Sequence, residues 1–120
     1  MIFTKEEKAK LIKNCQDVIN YIKNEIGPNL RSGVNFTFEV SPRTRELIVH
    51  IYSDGTVSIA RSEQYSFKPV ENNQYRNFFY EENSEVQIVF LKNWPYMKER
   101  LLRQIEEDKN TIEFLNEFSV

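Results

Sequence analysis

A chain of 120 residues with a net charge of −2 is one domain by length, and it carries no field that would steer the whole molecule to duplex nucleic acid or an acidic membrane. Its single cysteine, Cys15, excludes an internal disulfide framework. No segment is long and apolar enough to span a bilayer, and the N-terminal residues lack the basic-then-apolar pattern of a secretory signal, so a cytoplasmic protein is expected.

The first predicted element is a helix. Thr4 and Glu7 form a capping box, in which each side chain satisfies the other residue's backbone amide. Leu11, Ile12, Cys15, Val18, Ile19, Ile22 and Ile26 recur at helical spacing and predict one buried stripe, with Cys15 on it as an unreactive thiol. Gly27-Pro28 is expected to end the helix, glycine as a left-handed cap and proline as a stop.

Periodicity then switches to two. Val34, Phe36, Phe38 and Val40 alternate with polar residues, Leu47, Val49 and Ile51 follow a turn at Ser41–Arg45, and Val57 and Ile59 follow a second turn. This predicts an antiparallel meander of three strands, with Tyr65 and Phe67 offering a short fourth stopped by Pro69. For the second turn, a two-residue loop would set apolar residues opposite polar ones. A left-handed bulge at Gly55 instead pairs Ile51 with Val57 and Val49 with Ile59. For the first, a four-residue loop would place Val40 opposite Leu47 and Phe38 opposite Val49. The other sheet face carries Ile48, His50 and Tyr52 beside Thr37 and Glu39, an apolar-aromatic row that predicts partial cover.

From 62 to 83 the pattern weakens, and Tyr75, Phe78, Phe79 and Tyr80 gather there with Arg76 and several amides. They read either as a lid on the core or as a recognition loop. Ser84 and Gln87 open a nearly apolar helix. Asn93 is placed to cap a second one, with Pro95 in its first turn, so that Trp94-Pro95 marks a kink or a tight break. The last helix, from Trp94 to about Glu117, would be roughly 35 Å long, more than a domain of this size needs. Leu101, Ile105, Ile112, Leu115 and Phe118 form a heptad-like seam interrupted by Asp108. The segment 96–120 is therefore predicted to be an assembly element, and a homodimer is expected.

The whole predicts one α+β domain over 1–120: an N-terminal helix, an antiparallel meander and two C-terminal helices, the last one long. Motifs for phosphate loops, dinucleotides, zinc hydrolysis or serine nucleophiles are missing, so no cofactor, metal or catalytic residue is assigned. Arg43, Arg45 and Arg61 could share one sheet and suit a carboxylate or phosphate. His50, the one histidine, has no nucleophile at motif spacing, although Glu39 or Tyr52 could serve beside it.

The order of elements, and the run Glu85-Val86-Gln87-Ile88-Val89-Phe90-Leu91-Lys92-Asn93-Trp94-Pro95-Tyr96-Met97-Lys98, resembles small accessory proteins encoded by phages and mobile elements. The resemblance covers mainly the final third. It implies a non-enzymatic binder that occupies a host component, such as an anti-CRISPR-type inhibitor or a protein that sequesters a nucleotide signal. Two expectations follow: a binding or inhibitor module for a protein partner, through Tyr52, His50 and the aromatic segment, or a nucleotide-type anion binder in a dimer groove lined by the arginines.

Overall fold

The computed structural model describes residues 2–41, 45–63, 66–69 and 84–120. It opens with α1, Lys5–Tyr21, capped as its sequence dictates: the Thr4 hydroxyl accepts from the Glu7 amide at 3.1 Å, and the Glu7 carboxylate accepts from the Thr4 amide at 2.8 Å. Those two bonds satisfy two amides that the first turn would leave open. Leu11, Cys15, Val18 and Ile19 are buried, while Lys13 and Asp17 form an exposed ion pair on the outer face. The Cys15 thiol approaches the Gln87 carbonyl at 3.9 Å. Burial pushes its pKa from 9.0 up to about 12, so it is inert as expected.

The exit from α1 departs from the predicted cap. The chain widens into a π-helical turn, Ile22–Ile26, which keeps both isoleucines in the core, and then tightens into a 3-10 turn, Gly27–Asn29. Gly27 is right-handed, at φ −52° and ψ −44°, so it is no left-handed cap. Its missing side chain serves a tertiary contact instead: a Cβ there would stand 2.1 Å from the Gly55 Cα. The end of the first helix and the second hairpin thus meet backbone to backbone.

Strands β1 (Val34–Ser41), β2 (Arg45–Ile51), β3 (Val57–Glu63) and β4 (Ser66–Pro69) form an antiparallel sheet in the order β1-β2-β3-β4. The second hairpin has the predicted register, Ile51 with Val57 and Val49 with Ile59. Gly55 sits at φ +86°, the Gly55 amide donates to the Tyr52 carbonyl at 2.9 Å, and Asp54 accepts from the Thr56 amide. The first hairpin differs. Phe38 pairs with Leu47 and Phe36 with Val49, two residues from the expected register, with an irregularity between Glu39 and Ser41. A slip of two keeps every side chain on its face, so face matching could not detect it. Phe36, Leu47, Val49, Ile51, Val57 and Ile59 are buried on the inner side as expected.

The C-terminal helical segments expected on either side of Trp94-Pro95 are both present, the later one running to Glu117. They join end to end as α2, Ser84–Glu117, with Pro95 inside it. Asn93 caps nothing there; its side-chain amide donates to the Val89 carbonyl at 2.8 Å, one turn back. Val86, Phe90, Met97 and Leu101 bury one face against α1 and the sheet. Each such side chain contributes on the order of 2 kcal/mol by leaving water. Trp94 is half-buried and meets Tyr21 edge-on at 5.8 Å, and Lys98 Nζ lies 4.9 Å from the centre of the Tyr21 ring. Tyr96 stands edge-on to Phe36 and Phe38, tying the helix to β1. Beyond Leu101, α2 runs out past the core, in a molecule 62 Å long and 32 by 25 Å across. No described helix is long and apolar enough to cross a membrane.

Candidate functional site

Two surfaces stand out, and the first is the outer sheet face. The register of β1 on β2 places Asn35 directly opposite His50. His50 Nδ1 and the Asn35 side-chain oxygen form a hydrogen bond, in which the amide oxygen accepts. Its other edge lies over Gly33, where a Cβ would be 3.0 Å from Nε2. Tyr52, the first residue past the end of β2, meets the imidazole at 4.1 Å with the rings 62° apart. Tyr52 is 45% exposed and His50 half-buried, with Ile48 and Ser58 half-buried beside them. The arrangement is an aromatic pair at the end of β2, held by a cross-strand amide. The imidazole hydrogen-bonds to an amide, and Ser58 lies opposite it on β3. Among those residues, no group of three histidine, cysteine, aspartate or glutamate side chains could hold a metal ion.

The second surface is the projecting half of α2. Leu101, expected on the assembly seam, is fully buried in the molecule's own core, and Ile105 packs against that core. Ile112 is half-buried. Phe114, Leu115 and Phe118 are 62%, 60% and 64% exposed, and the two phenylalanine rings lie 5.9 Å apart. Leu102 is exposed as well. Arg103 reaches back to Glu99 at 2.9 Å, and Gln104 donates to Asp108 at 3.0 Å. The surface open to another molecule therefore excludes Leu101, the first residue of the predicted seam.

Arg43, Tyr75, Arg76, Phe78, Phe79 and Tyr80 lie outside the described residues, as does Tyr65. Arg45 lies on β2 and Arg61 on β3, where the description is of backbone: Arg45 pairs with Glu63 and Arg61 with Leu47. Sequence reasoning missed Asn35 and Gly33 as neighbours of His50. The signal was the register of the first hairpin, since the expected pairing would have set Thr37 opposite His50 instead.

Comparison with known proteins finds no matching family model, and no similar curated protein or solved structure.

Proposed function

We propose that this chain is a non-enzymatic binding module that works by occupying the surface of a protein partner, with the outer sheet face led by Tyr52 and His50 as its recognition surface. The supporting observation is the exposed Tyr52 ring braced edge-on against an imidazole that Asn35 holds in place. Tyrosine anchors dominate binding energy when they are rigid and central, because little side-chain freedom is lost on docking. His50, on a strand whose opposite side is buried, braces the ring from β2. Inhibition by occupancy, as in the anti-defence proteins of phages and mobile elements, is the mode such a surface would serve.

Affinity capture from cell lysate with three baits tests the reading: the wild type, Tyr52→Ser, and Lys13→Ser as a surface control on α1. A stoichiometric partner held by the wild type and the control but lost with Tyr52→Ser is expected. Equal recovery by all three, or no stoichiometric partner on any, would overturn it.

A further inference from the structure

Beyond this partner-binding reading, we propose that the projecting half of α2 pairs antiparallel with the same segment of a second copy of this chain. Three observations converge on that occupant. The first is continuity of face. Phe90, Met97 and Leu101 are fully buried on one side of α2, and the same side continues as Ile105, Ile112 and Leu115 at three-, four- and seven-residue spacing. The molecule covers this stripe only at its near end. A segment of 16 residues, 102–117, lies past Leu101, roughly 24 Å at the helical rise. Two such segments laid antiparallel overlap along their whole length, and each ends against the other molecule's core.

The second observation is the distribution of charge. Lys98, Arg100 and Arg103, with Glu99 among them, lie where the helix leaves the core, while Glu106, Glu107, Asp108, Glu113 and Glu117, with Lys109 among them, lie along its projecting part. The last turn has no basic residue, so the carboxylates stand at the negative end of the helix dipole, where they are unfavourable. An antiparallel second copy reverses the dipole and brings its basic stretch to that acidic end. With Leu115 opposite Ile105 of the second copy, Phe118 falls opposite Leu102 and Glu117 opposite Arg103. Leu115 and Leu102 gain apolar partners in this register, while Phe114 falls opposite Glu106 and Glu113 opposite Glu107.

The third observation is Asp108, which interrupts the stripe while accepting a hydrogen bond from Gln104. Parallel in-register pairing would set Asp108 on Asp108 and Glu117 on Glu117, like charges in contact. Antiparallel pairing sets Asp108 opposite Ile112 and separates them. A buried polar group on a seam commonly fixes orientation in this way.

Sedimentation equilibrium with charge-swapped full-length chains tests the proposal. One variant carries Glu117→Arg, the other Arg103→Glu; both positions are exposed, and circular dichroism checks that each variant folds. The wild type is expected at twice 14.4 kDa in the micromolar range. Each variant alone should dissociate at least about tenfold more readily, and an equimolar mixture should restore a one-to-one heterodimer. A monomeric wild type would overturn the proposal, as would variants that dimerise as well as the wild type or a mixture that fails to restore the dimer. Tyr52→Ser should dimerise normally, so failure here is separable from failure of the recognition face.

Discussion

The two halves of α2 share a face, a stripe and a continuous run of helix, yet they meet opposite surroundings. From Val86 to Leu101 the stripe is closed by α1 and the sheet; from Leu102 to Phe118 its apolar side chains stand largely open. Pattern alone does not separate them, because Leu101 and Leu115 occupy equivalent helical positions. What separates them is the extent of the layer beneath: Cys15 meets Gln87 and Tyr21 meets Trp94 and Lys98, so α2 runs on past the Tyr21 end of α1. A stripe that outruns its own core marks a second packing partner.

The difference can be broken from the buried side first. Phe90→Ala removes a ring with no exposed surface and should cost about 3–5 kcal/mol in denaturant unfolding. Next, Gly27→Ala would drive a Cβ into the Gly55 backbone. The chain there has no flexible side chain to yield, so a loss of about 3 kcal/mol is expected, whereas Gly33→Ala meets only the tip of the His50 ring and should cost less.

The buried half also carries a pH signature. The Cys15 thiol, with its pKa raised by burial to about 12, stays protonated in the folded chain while the unfolded chain loses its proton near pH 9. Between those values the unfolded state binds fewer protons, so the contribution of this group to stability is complete below about pH 9 and falls as pH rises toward 12. Unfolding of the wild type compared with Cys15→Ala across that window should show the extra alkaline slope in the wild type alone. Smallest of all, Leu115→Ala, measured at dilutions where the chain is monomeric, should change stability by less than about 0.5 kcal/mol. That contrasts with Leu101→Ala at about 2–5 kcal/mol, although the two residues look alike in the sequence.

Much of this fold was legible beforehand, and the reasons are local. The Thr4–Glu7 box, the α1 stripe and the Gly55 bulge each involve residues within a few positions of one another. The register of the second hairpin could be chosen because the competing loop differed by an odd slip, which flips faces. The first hairpin could not, because its alternative differed by two and left every face unchanged. That same slip concealed the Asn35–His50 contact, so the brace of the candidate recognition face was hidden while Tyr52 and His50 themselves were not.

Gly27 shows a second kind of limit. Glycine followed by proline at a helix end signals a cap, and the tertiary demand of Gly55 used the same residue for another purpose. Of the kink or tight break expected at Trp94-Pro95, the break is absent: Pro95 lies inside the single helix α2. The aromatic segment and Arg43 fall outside the described residues, so the second anion-binding expectation draws no geometry from this structure.

Hydrogen exchange along α2, followed at several protein concentrations, tests the contrast between its two halves most directly. Amides from Val86 to Leu101 should be strongly protected at every concentration. Those from Gln104 to Glu117 should exchange rapidly when dilute and gain protection as concentration rises into the dimeric range. Protection beyond Leu101 that matches the buried half in dilute solution, or that stays low however concentrated the chain becomes, would contradict it.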